Sequence, residues 1–150
     1  MHKLFLYSFV NIVVGIVLAL NIGQKKIVKL YSEIERLRRL NKIYNSWLEN
    51  TEGLASSFKK RGINQVAIYG MGELGKTLTK LLMREKIMIS YIIDKRVIPT
   101  PYGIKLYNNN DEFPKTDVVI VTVLNDFDTI EKQLQNKVMC PIWNVENIFY

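Results

Sequence analysis

Gly70-Met71-Gly72-Glu73-Leu74-Gly75 is the stretch whose residue types and spacing could do chemistry. Val66, Ala67, Ile68 and Tyr69 precede it as an apolar run, and Lys76 to Leu82 follow at helical spacing, so it reads as strand, tight glycine turn and helix. In that context each glycine has a task. The first makes the turn, the second lets backbone approach a phosphate, and the third packs helix against strand. A phosphate would rest on the free N–H groups and the positive dipole end of the helix that starts near Glu73. Asp94 lies about twenty residues further on, at the end of the next apolar run, where a carboxylate can accept hydrogen bonds from both hydroxyls of a ribose. Glu73 is a second possible acceptor, and Lys95 and Arg96 could tolerate a 2′-phosphate or diphosphate nearby. Thr122 and Asn125, at the end of a third apolar run, would face the crevice where ligands sit in open α/β sheets. Each of these residues also has a structural reading: Asp94 as a cap at a strand end, and Asn125 as a turn former.

Other chemistry is sparsely equipped. The single histidine is His2, which excludes a histidine triad, a histidine metal site and a histidine general base in the rest of the chain. The one cysteine, Cys140, sits among Val138, Met139 and Ile142 with no partner for a disulfide, and reads as a core residue. Tyr91 and Lys95 match the Y-x-x-x-K spacing of short-chain dehydrogenases, but on a strand they would lie about 13 Å apart. That match is a coincidence of spacing. The net charge of +7 has its densest basic cluster at Lys25, Lys26, Lys29, Arg36, Arg38, Arg39 and Lys42, a position that favours a membrane surface over nucleic acid.

These residues need positioning elements. Residues 64–69, 87–93, 117–124 and 138–143 read as strands, with a short extended piece at 104–107. Helices are expected from about Glu73 to Glu85, and from Asp126 or Asp128 to about Lys137, with Glu131 completing a capping box on Asp128. The fold class is therefore α/β, a small doubly wound parallel sheet of Rossmann-like type with about five strands, occupying residues 63–150.

The preceding residues differ in kind. Residues 4–22 carry no charge and would just cross a hydrocarbon core of about 30 Å. A transmembrane anchor over residues 1–23 is the favoured reading, against a signal peptide or a buried soluble helix. Lysine and arginine cluster after this segment, which would keep the globular part in the cytoplasm, the alternative being a soluble cytoplasmic protein. Residues 24–62 read as amphipathic helices. Within residues 27–48 a heptad register puts Ile27, Ile34, Asn41 and Leu48 at a, and Leu30, Leu37 and Tyr44 at d, with Glu33 at g and Arg38 at the following e. A homodimeric stalk is one expectation; the same stripe could instead dock on the globular part or lie along anionic lipid. Lys59-Lys60-Arg61-Gly62 stops a further short helix containing Leu54 and Phe58, with glycine at C′.

Residues 68–75, the Tyr91-Ile92-Ile93-Asp94 strand end, Ile104-Lys105-Leu106-Tyr107 and Asp117-Val118-Val119-Ile120-Val121-Thr122 resemble the small Rossmann-like modules of bacterial surface-polysaccharide enzymes. Examples are the N-terminal domain of sugar O- and N-acyltransferases and the C-terminal domain of sugar C-methyltransferases. The resemblance covers roughly residues 54–150. It implies that Gly70, Met71, Gly72 and Asp94 hold the uridine part of a UDP-sugar. The catalytic β-helix or methyltransferase domain of those enzymes has no counterpart here, and the N-terminal anchor expected here has no counterpart in them. The leading expectation is a non-catalytic module that binds NAD(P) or a nucleotide sugar and assists polysaccharide assembly beside a partner enzyme. Two others stand next to it: a subunit of an NAD(P)-dependent oxidoreductase or epimerase, and a ligand-free structural module at the membrane.

Overall fold

A computed structural model describes residues 2–49 and 53–149, with side chains at 14, 15 and from 20 onward. The chain divides into two compact units, Met1–Asn41 and Lys42–Tyr150. One helix, α1 (His2–Glu49), runs without a break past residue 23, where the anchor was expected to end. The compact unit also begins earlier than the expected residue 63, taking in residues 42–62. Most side chains of the expected anchor, residues 4–13 and 16–19, lie outside the described residues. Among the described residues no helix is long and apolar enough to cross a membrane.

In the first unit, Ile27, Leu30, Ile34 and Leu37 are all exposed, so the expected a/d line is uncovered. Glu33 pairs with Arg36 at 3.1 Å and Glu35 with Arg38 at 2.6 Å, each one turn apart on the same helix. Such exposed pairs add only about 0.2–0.5 kcal/mol each.

In the second unit the end of α1 contributes Ile43, which is buried, and Tyr44 and Trp47, which meet edge to face at 5.6 Å. Helix α2 (Gly53–Lys60) buries Leu54 and Phe58, and Phe58 packs edge to face on Trp143 at 5.9 Å. Strands β1 (Gln65–Tyr69), β2 (Met88–Ile93), β3 (Leu106–Tyr107), β4 (Val118–Val121) and β5 (Ile142–Asn144) form one parallel sheet in the order β3-β2-β1-β4-β5. That is the first five positions of the Rossmann order, with the switch in strand direction of travel between β1 and β4. The α/β, five-stranded, Rossmann-like expectation holds for the compact unit.

Period-two alternation divides the core between two faces. Ala67, Tyr69, Tyr91, Ile93, Val119 and Val121 pack with Ile130 and Leu134 of α4 (Phe127–Leu134). Helix α3 (Glu73–Arg84) buries Leu74, Leu78 and Leu82, spaced by whole turns, and keeps Lys76 and Lys80 in solvent. Its Glu73 lies in the first turn and Arg84 in the last, both matching the helix dipole.

Several boundaries move. The last strand begins at Ile142 rather than 138, since Val138 and the residues up to Pro141 only lead into it. Asp128 does not cap α4; the cap position is Asp126, and its side chain makes no capping bond. β2 is buried only in its second half, and Met88 is exposed. A register shift opposite Val66 and Ala67 leaves Ser90 as an extra residue in β2, where its hydroxyl bonds Gln65 Oε1 at 3.1 Å.

Neither β2 to β3 nor β3 to β4 is joined by an α-helix; the first link holds only a 3₁₀ turn, Pro101–Gly103. Aromatic rings cover the sheet there instead. Tyr91 stacks on Phe113 at 5.9 Å and 10°, and Tyr107 meets both edge to face. Burial raises the Tyr91 hydroxyl pKa, with Cys140 and Tyr107 adding to the shift, so it stays protonated.

Two helices end in the same motif. Ile63 N bonds Phe58 O and Gly62 N bonds Lys59 O after α2; Ile87 N bonds Leu82 O and Lys86 N bonds Met83 O after α3. Gly62 takes the left-handed position at no steric cost (φ 71°), but Lys86 occupies it at φ 58°. Lys86→Gly should therefore raise the unfolding free energy by about 0.5–1 kcal/mol, read as a higher urea midpoint at unchanged slope.

Candidate functional site

The glycine turn leaves β1 at Gly70, whose φ of 91° only glycine adopts freely. Gly70 N donates to Ile93 O at 2.8 Å, tying the turn to the end of β2. From β4, Thr122 N donates to Tyr69 O at 2.9 Å, and the Thr122 hydroxyl lies 2.6 Å from Gly70 O and 3.0 Å from Tyr69 O. Thr122 is buried, and its one hydroxyl proton serves these carbonyls. It braces the turn from the switch point between β1 and β4, and does not offer its hydroxyl to the crevice.

The three glycines have different reasons to be glycine. A Cβ on Gly75 would stand 2.0 Å from Gly70 O, so the first turn of α3 can sit on the end of β1 only without a side chain there. A Cβ on Gly70 would meet Val123 Cγ2 at 2.9 Å and Thr122 Oγ1 at 3.1 Å. Around Gly72 nothing lies within 4 Å, and its φ of −66° suits any residue. Gly72 is the N-cap of α3 and brings no side chain to satisfy the first amides of the helix. Glu73 is exposed beside them, whereas Leu74 and Met71 are turned inward and buried. Met71 Sδ accepts from the Thr79 hydroxyl at 3.7 Å.

Asp94 is buried and fully engaged. Its Oδ2 accepts from Met71 N at 2.8 Å and from Arg96 Nη2 at 3.3 Å. Its Oδ1 accepts from Arg96 N at 2.9 Å and Arg96 Nε at 3.2 Å. Burial alone would raise the pKa of this carboxyl, but the Arg96 side chain, the two amides and the guanidinium charge together hold it below the usual carboxylate range. The structure thus joins Gly70, Met71, Gly72, Gly75, Asp94, Arg96 and Thr122 in one cluster at the C-terminal edge of the sheet. A ribose could reach Asp94 only by displacing the Arg96 side chain, which is two-thirds exposed at 67 %.

The remaining expected residues stand outside that cluster. Lys95 is exposed and points to a neighbouring cleft, and Asn125 is exposed in the loop after β4. Among the described residues no group of histidine, cysteine and carboxylate side chains could hold a metal ion. Burial pushes the Cys140 thiol up, away from thiolate chemistry. Sequence reasoning passed over the cleft altogether. It holds about 490 Å³ and is lined by Lys95, Asn108, Asn109, Asn110, Gln133, Leu134 and Lys137. The only local signal was the asparagine run, which reads equally well as a turn.

Two outcomes follow from this geometry. Gly75→Ala should cost about 1–3 kcal/mol or more, while Gly72→Ala should cost less than about 1 kcal/mol, both measured by urea unfolding. The lowered folded-state pKa of Asp94 means that its ionised form stabilises the protein at neutral pH, and that this is lost as pH falls through the folded value. Wild-type stability should drop more steeply below about pH 4 than that of Asp94→Asn, which should already be weaker at neutral pH by about 1–3 kcal/mol.

No family model matches the chain, and no curated protein or solved structure is significantly similar to it.

Proposed function

We propose that the chain is a non-catalytic nucleotide-binding module, taking NAD(P) or a nucleotide sugar at the turn between β1 and α3. The observation that carries this reading is Gly72. Gly70 and Gly75 must be glycine for the fold's own packing, but Gly72 has open space around it and a backbone angle any residue accepts. A glycine there serves a group that approaches from outside, and the uncapped amides of α3 suit a phosphate. Asp94 then offers the ribose two acceptor oxygens, with the exposed Arg96 side chain moving onto the phosphates. The amide bonds from Met71 and Arg96 can stay in place and keep the carboxylate oriented.

The wider setting rests on sequence. Residues 4–22 would anchor the module, residues 27–48 would pair two copies, and the resemblance of residues 68–75, 91–94, 104–107 and 117–122 suggests a polysaccharide enzyme at the cytoplasmic membrane face as its partner. One observation favours a second reading, a structural module with no ligand. Met71 N and Asp94 satisfy each other, so the turn is braced as it stands.

Calorimetric titration of the full chain separates the two. NAD, NADP or a UDP-sugar should bind with micromolar to millimolar affinity, and Gly72→Val should abolish binding without unfolding the protein. Asp94→Ala should weaken binding and Cys140→Ala should not. Heatless titrations with all of these ligands at millimolar concentration would leave the structural reading.

A further inference from the structure

The cleft beside the glycine turn has a lining with a consistent chemistry. Two of its residues are lysines, Lys95 from the end of β2 and Lys137 from the turn after α4. Four are amides, Asn108, Asn109, Asn110 and Gln133, and Leu134 is the single apolar residue. No carboxylate lines the cleft, and neither lysine has an ion-pair partner among the described residues. Asp111, which follows Asn110, accepts from Asn108 N at 2.7 Å and so is turned to its own loop. Two cations without counter-charges around one concavity create a standing positive potential.

Two of the amides, Asn108 and Asn109, have partners of their own. Asn109 Nδ2 donates to Tyr69 Oη at 2.9 Å, which fixes the orientation of the side chain, and its Oδ1 is buried without a partner. Asn108 Nδ2 reaches Lys95 O at 3.5 Å, and Lys137 Nζ donates to Asn109 O while lying 5.9 Å over the Phe113 ring. A buried, unpaired amide oxygen costs free energy until something donates to it. The exposed amides Asn110 and Gln133 can read hydroxyls because each side chain both donates and accepts. No aromatic ring lines the cleft, so nothing there would stack on a nucleobase. The cleft opens beyond the C-terminal ends of β2 and β3, on the same edge of the sheet as the switch point between β1 and β4.

We infer that this cleft binds an anionic sugar, its phosphate or carboxylate on Lys95 and Lys137 and its hydroxyls on Asn110 and Gln133. The inference does not depend on the glycine turn being occupied. It is tested by thermal shift and calorimetry on the full chain with glucose 1-phosphate, glucuronate, glucose and inorganic phosphate as probes. Glucose 1-phosphate or glucuronate should bind and raise the melting temperature, and glucose and inorganic phosphate should bind at least roughly tenfold more weakly. Lys95→Gln combined with Lys137→Gln should weaken the anionic sugar roughly tenfold, Lys80→Gln on α3 should not, and Gly72→Val should leave it intact. Equal affinity for inorganic phosphate, equal affinity in the double variant, loss of binding in Gly72→Val, or no response to either anionic sugar would each overturn the assignment. UDP-glucose adds a last arm. Binding that survives the double lysine variant but not Gly72→Val belongs to the glycine turn alone, and separates failure of this inference from failure of the nucleotide reading.

Discussion

The carbonyl oxygen of Gly70 occupies the space that a side chain at position 75 would need, and much of the unit follows from that approach. Because α3 starts against the end of β1, its buried leucines pack over β1 and β2. The same carbonyl accepts the hydroxyl of Thr122, which carries the constraint across the switch point into β4. One oxygen therefore sets the distance between a helix and two strands. A methyl group at either glycine would force them apart, and close-packed interiors transmit such displacements rather than absorb them.

Asp94 adds an electrostatic constraint to this steric one. Taking a carboxylate out of water is costly unless its lone pairs are filled, and here two amides and a guanidinium fill them. The consequence is a turn held by two successive amides, Gly70 N on Ile93 O and Met71 N on Asp94. The acid expected to read a ribose thus spends half of its capacity on its own backbone and the other half on a displaceable side chain. A ligand at this carboxylate would have to exchange the internal ion pair for its own contacts, and its binding energy would be reduced by the pair it breaks.

The sheet achieves its order with little helix. A doubly wound fold normally covers each crossover with a helix, and two of the four links here have none. Tyr91, Tyr107 and Phe113 supply the missing apolar cover, three rings in mutual contact over the β2–β3 edge. The arrangement leaves that edge thin, and the polar cleft between the asparagine loop and α4 lies in the space this creates.

What the amino-acid sequence determined by itself is what short-range physics controls. β-Branched runs such as Val118 to Val121 could only be buried strands, and the spacing of Leu74, Leu78 and Leu82 could only be one face of a helix. Glycines at 62, 70, 72 and 75 announced a helix stop and a tight turn, because the lack of a side chain is a local property. Tertiary structure decided whatever depended on partners far along the chain. Lys86 in a left-handed position, Ser90 as the extra residue of a bulge, and α4 ending before Lys137 carry no local signal. Nor could spacing tell that the carboxylate of residue 94 would close on the amide of residue 71, twenty-three positions away, or that Thr122 would turn its hydroxyl to Gly70 rather than to the crevice. A side chain's type states which bonds it is able to make; only the packed fold determines which of the groups within reach it makes them with.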